Sequence, residues 1–152
     1  MTNPPEKDQA RSNKDIIRRL LAEMDRGNLD AIDLCYAPDY VDHSPSVIRG
    51  QKGGREGVRN ALGLLHRAFP DTRHTIEELI AEGDRVAARI TARGTHTGEL
   101  LGHAPTGRVV TQTSITIYRI VDGRIAERWS DHPQEILEQL GLSEPEGRPG
   151  SR

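Results

Sequence analysis

The stretch SITIYRIVDGRIAERWSDH, residues 114–132, decides how the chain folds. Asp122-Gly123 at its centre signals a two-residue type I′ turn, because both turn positions need a left-handed backbone. A two-residue loop fixes the pairing of its arms: Ile120 faces Ile125, Tyr118 faces Glu127, Thr116 faces Trp129 and Ser114 faces Asp131. That register puts Gln112, Ser114, Thr116, Tyr118, Trp129 and Asp131 on one face of the hairpin. Ile115, Ile117, Arg119, Ala126, Arg128 and His132 take the other. A face with so many polar groups suits the wall of a cavity, since in a dry core each group would need a partner.

Working outward, RHTIEELIAEGDRVAARITARGTH (73–96) reads as a second hairpin with Gly83-Asp84 at its tip. A two-residue turn sets Glu82 against Arg85 and Glu78 against Arg89, pairs of opposite charge on one face. Leu79, Ala81, Val86, Ala88, Ile90 and Ala92 make the buried face. Before the strands, the apolar period is helical. Asn13 is positioned to cap a helix whose stripe is Ile16, Ile17, Leu20, Leu21 and Met24, ended by Gly27. Asn28 opens a shorter helix through Leu29, Ile32, Leu34 and Cys35 that Pro38 stops. DYVDHSP (39–45) reads as extended, and GGREGVRNALGLLHRAF (53–69) as a third helix with Val58, Leu62, Leu65 and Phe69 inward. A short helix from about Pro133 to Leu140 follows the last strand. The expected architecture is therefore α+β, with a curved antiparallel sheet folded over N-terminal helices. Residues 1–12 and 143–152 read as polar tails around one domain spanning 13–142.

Composition narrows the function. The chain has 152 residues and a formal net charge of −2, with acids and bases interspersed, which argues against the basic face that nucleic acid requires. One Phe, one Trp and three Tyr are too few for a stacking platform for single strands. The single cysteine, Cys35, permits no internal disulfide and reads as a small buried apolar group, in keeping with a reducing compartment. No apolar run approaches a membrane span, and the N-terminus lacks the apolar core of a secretory signal. The expectation is a soluble, cytoplasmic protein without membrane or nucleic-acid partners.

Read in order, DYVDHSP, AFPD, AEGDRVAARITARGTHTGELLGHAPTGR and IYRIVDGRIAERWSDHPQEILEQLG resemble the SnoaL-like polyketide cyclases of the nuclear transport factor 2-like fold. The most specific part is Gly94-Thr95-His96-Thr97-Gly98 followed by Gly102 and Pro105-Thr106-Gly107. The resemblance covers roughly residues 13–142. It implies a cone-shaped α+β barrel with a deep apolar pocket, a homodimer or homotetramer, and no metal or organic cofactor. It also implies an intramolecular aldol closure on an aromatic polyketide ester, with a carboxylate on the last strand as acid/base and the Gly-Thr-His histidine in the same pocket. The family's aspartate spacing, counted from Trp129 and from the closing Gln139-Leu140-Gly141, falls at Pro133 and His132, so Asp131 and His132 both stand as carriers.

Aldol closure needs a base to remove a proton alpha to a carbonyl and an acid to protonate the new alkoxide, and one tuned carboxylate can do both. The expected catalytic set is Asp131, His96 and His132. The expected substrate-binding set is Trp129, Gln112, Ser114, Tyr118, His43, Phe69 and Tyr40. Asp131 also fits as a cap for the helix that Pro133 opens. His66 and His74 read as surface groups, and no histidine pair has tight metal-ligand spacing. Two other readings remain beside ring closure. One is a hydroxylase component that tailors an anthracycline-type ring with a separate reductase. The other is a non-catalytic module that binds a small ligand.

Overall fold

In the computed structural model, residues 4–44, 53–131 and 136–142 are described. The order of elements is α1 (Pro4–Asp25), α2 (Ala31–Cys35), β1 (Tyr36–Asp42), α3 (Gly54–Ala68), β2 (Arg73–Glu82), β3 (Arg85–Thr95), β4 (Val109–Val121), β5 (Arg124–Asp131) and α4 (Ile136–Gln139). The strands form one sheet in the order β1-β5-β4-β3-β2. Four of them are antiparallel as expected, but β1 runs parallel to β5, which makes the sheet mixed.

Helix α1 starts at Pro4, well before the expected cap at Asn13. Its first turns carry no apolar stripe, so the sequence there reads as a tail. Asn13 instead lies buried on the helix. It accepts from Gln9 Nε2 at 2.8 Å and donates its amide to the Gly83 carbonyl at 3.3 Å. This pins the tip of the β2–β3 hairpin to the helix. The expected stripe does face inward: Ile17, Leu20 and Leu21 join Ile32, Tyr36, Val86, Ile90, Tyr118 and Ile125 in the main core. Cys35 is buried in the same core.

Both hairpin tips form as read. Asp122 and Gly123 have φ of +50° and +76°, and Ile120 pairs with Ile125. Glu82 pairs with Arg85 and Glu78 with Arg89. Each hairpin then departs from a simple ladder by one residue. In β2, Ile76 pairs with Ile90 but Glu78 with Arg89, so Glu77 is extra. In β5, Ile120 pairs with Ile125 but Arg119 with Glu127, so Ala126 is extra. A bulge of one residue sends every later side chain to the other face. Beyond Ala126, Trp129 therefore pairs with Ile117 and Asp131 with Ile115, while Arg128 pairs with Tyr118 and Ser130 with Thr116.

Candidate active site

The helices close the concave side of the sheet over a cavity of about 500 Å³. Leu20, Met24, Val58, Leu62 and Phe69 supply apolar walls, and Ile90, Ala92, Gln112, Ser114, Thr116 and Tyr118 supply the floor. Five of the expected binding residues thus line it: Gln112, Ser114, Tyr118, Phe69 and Tyr40.

Polar groups converge on the cavity from two places. The first comprises Arg128, Asp42 and three tyrosines. The bulge at Ala126 turns Arg128 inward, where its Nη1 donates to Asp42 Oδ2 at 2.9 Å. Burial by itself favours loss of the Arg128 proton, but its surroundings, in which Asp42 is the bonded anion, hold the cation more firmly than usual. Burial also pushes the Tyr36, Tyr40 and Tyr118 phenols well up, so all three stay neutral O–H groups. The Tyr40 hydroxyl has no partner of hydrogen-bonding geometry among the described residues, although Asp42 acts on it electrostatically. Ser44 extends the cluster, taking a backbone bond from Ser130 at 2.5 Å and donating its own N–H to Asp42 at 2.9 Å.

The second place is the start of β2. Asp25, the last residue of α1, accepts the His74 backbone N–H at 3.1 Å, and its other oxygen lies 2.6 Å from His74 Nδ1. His74 and His66 both line the cavity rather than the surface, which corrects the sequence reading of each. The bulge at Glu77 is the reason for His74: without it, the phase set by Leu79 and Ala81 would turn His74 outward.

The Gly-Thr-His stretch forms a latch. Thr97 and Gly98 donate their N–H groups to the Ala68 carbonyl at the end of α3, both at 3.1 Å. Thr95 grips Asp71 with its backbone and its hydroxyl, each at 2.7 Å. Gly98 has to be glycine because a Cβ there would sit 2.0 Å from the Arg67 carbonyl oxygen. His96 is fully buried and does not line the cavity, contrary to expectation. It lies behind Phe69, with ring centroids 5.4 Å apart. Its Nδ1 accepts the Thr106 N–H at 3.1 Å, and Thr106 Oγ1 lies 2.9 Å away. Burial lowers its pKa. The ring is neutral, with its proton on Nε2, and Nε2 has no partner among the described residues.

The remaining expected residues stand elsewhere. Asp131 is exposed and pairs with Ile115, itself 57% exposed. Trp129 is on the same outer face. His43 stacks on its indole at 4.9 Å, and the Arg85 guanidinium lies over it at 4.9 Å. His43 Nε2 also lies 2.9 Å from Glu127, which Arg119 grips as well, and these partners hold the Glu127 carboxyl below its usual range. Asp131, Trp129 and His43 are therefore not walls of the cavity. The Ala126 bulge is what turns Trp129 and Asp131 to the outer face. His132 lies outside the described residues. Among the described residues, no three His, Cys, Asp or Glu side chains cluster as metal ligands, and no helix is long and apolar enough to cross a membrane.

A cone of helices and curved sheet around a mainly apolar cavity, open at one side, with converging polar groups defines a fold class that holds small molecules. The sequence model of the SnoaL-like polyketide cyclases matches residues 14–137, and the chain belongs to that family. It is 32% identical over 138 residues to the aklanonic acid methyl ester cyclase DnrD of Streptomyces peucetius, covering 86% of this chain and 90% of the relative. Among solved structures it is similar to IdmH of Streptomyces antibioticus, provisionally named a polyketide cyclase. That match has 34% identity and a TM-score of 0.72, covering 86% of this chain and 99% of IdmH. It is also similar to AclR of Streptomyces galilaeus, provisionally named a hydroxylase. Here identity is 30% and the TM-score 0.72, covering 85% of this chain and 95% of AclR.

Proposed function

We propose that the chain is a cofactor-independent acid/base cyclase that closes a ring in an aromatic polyketide ester by intramolecular aldol addition. The observation that carries this is the cavity itself. Its apolar walls suit a flat polycyclic body, while its polar groups sit at separate places where carbonyl and hydroxyl groups of such a body would end. Gln112, Ser114, Tyr118, Tyr40 and Phe69 bind the substrate in this reading. The cation of Arg128, held by Asp42, attracts an acidic or carbonyl oxygen near the tyrosine cluster. The protein acts in the cytoplasm as a homodimer or homotetramer. Ile80, Ala87, Ile117 and Trp129 form one cross-strand row on the outer sheet face, and in this reading a second copy packs on that row.

Likeness to AclR supports a second reading, hydroxylation of an anthracycline-type ring with a separate reductase. One experiment separates the two. The purified protein is incubated alone with aklanonic acid methyl ester, and the product is read by chromatography and mass. Ring closure gives an isomer, so a shifted peak of unchanged mass without additives is expected. A product heavier by one oxygen that forms only with reduced nicotinamide and a reductase would replace this reading with the second.

A further inference from the structure

We propose that His74 carries the proton in the ring closure and that Asp25 is its positioning residue. This rests on the cyclase reading above. The two residues are 49 positions apart in sequence, and the fold brings them together at the cavity wall. Their side chains are only 14% and 18% exposed. Asp25 holds the histidine at two points, the backbone N–H at 3.1 Å and the ring Nδ1 at 2.6 Å. A carboxylate against Nδ1 keeps the proton there and leaves the lone pair on Nε2. No second hydrogen bond reaches the ring from the described residues.

The other titratable groups of the wall are engaged or unsuited. Glu23 is taken by Arg26 and Asn28, and Asp42 by Arg128. The His66 ring lies against Gly27, and among the described residues no carboxylate hydrogen-bonds to it. The buried tyrosines hold their protons. His74 is the basic nitrogen on this wall that a carboxylate orients. It also occupies one row of the sheet's inner face with Ala92 and Gln112. Strands are about 4.8 Å apart, so His74 and Gln112 flank the Ala92 methyl across roughly 10 Å, the width of a slot for a planar ring.

The step balances without a co-reactant. Nε2 takes a proton from the carbon alpha to a carbonyl, and the C–H electron pair passes into the enolate. That carbon bonds to the second carbonyl carbon, whose π pair moves to oxygen. The imidazolium returns its proton to the alkoxide, and the product is an isomer of the substrate.

The test uses His74→Gln and Asp25→Asn beside wild type, together with ¹⁵N spectra of the wild-type imidazoles. His74→Gln is expected to lower kcat by about a hundredfold or more, with KM changed less than about threefold. Asp25→Asn is expected to lower kcat by about tenfold, again mainly in kcat rather than KM, and to release the fixed His74 tautomer. Wild-type spectra are expected to show Nε2 unprotonated and its resonance moving when a planar anthraquinone ester is added. Retention of kcat within about threefold in His74→Gln overturns the proposal, as does a protonated or unmoved Nε2 in wild type. Failure of wild type to cyclise overturns the cyclase reading instead, and the Nε2 response then shows separately whether His74 faces the ligand.

Discussion

Ile117 and Trp129 stand opposite each other on the outer face of the β4–β5 ladder, and the next pair on that face is Ile115 with Asp131. Ile117 and Ile115 are 39% and 57% exposed. The neighbouring inner rows are Tyr118 with Arg128 and Thr116 with Ser130, and all but Ser130 border the cavity. One extra residue, Ala126, thus exchanges an indole and a carboxylate for a guanidinium and a hydroxyl on the inner side.

Asp131→Asn is accordingly expected to keep kcat within about threefold of wild type, since a solvated carboxylate on the far face has no reach to a bound substrate. Steady-state kinetics on the purified variant checks this. A fall of a hundredfold would place Asp131 in the reaction.

The Arg128–Asp42 pair is expected to matter for stability. Asp42→Ala removes the carboxylate that accepts from the largely buried Arg128 cation. Because both side chains keep some solvent contact, at 20% and 27% exposure, the expected cost is about 2 kcal/mol rather than the full penalty of a sealed ion pair. Denaturant unfolding measures it.

Gly98→Ala forces a methyl group into the Arg67 carbonyl, which is backbone and has no freedom to swing aside. The expected loss is about 3 kcal/mol or more. The latch on α3 would open and Phe69 would lose its backing, so the variant should also bind a planar ligand more weakly. Thermal unfolding with and without ligand reads both effects.

Protonation of His96 is disfavoured in the folded state, because its ring is buried and its Nδ1 faces an N–H donor. Its pKa is lowered from 6.5, so the unfolded chain binds more protons and stability must fall as pH drops below about 6.5. In His96→Gln that share of the acid slope should disappear. Unfolding free energies from pH 7.5 down to pH 5 test the sign: equal slopes in the two proteins would show that His96 does not contribute.

Much of the frame can be read in the chain. Asp122-Gly123 dictates its own turn chemistry, and the opposite charges of Glu82, Arg85, Glu78 and Arg89 register the other hairpin. The cavity's polar lining from β4 was likewise legible, since Gln112, Ser114 and Tyr118 alternate without interruption. The two bulges were not. Their traces are consecutive residues in the same environment: Ile125 and Ala126 both buried, Glu77 and Glu78 both exposed. An alternation rule takes such doublets as noise, yet they decide that His74 and Arg128 face inward and Asp131 outward. The Asp25–His74 contact was also hidden, because nothing local links the end of α1 to a strand 49 residues later. His96 sat in the most specific motif of the family, but the motif's geometry serves the α3 latch.

The most direct test of this account is a crystal structure of the protein with a planar polyketide ester bound. The account predicts the ring system between Phe69, Tyr118 and Gln112, with an edge toward His74. A ligand seated against Trp129 and Asp131 on the outer face of the sheet would contradict it.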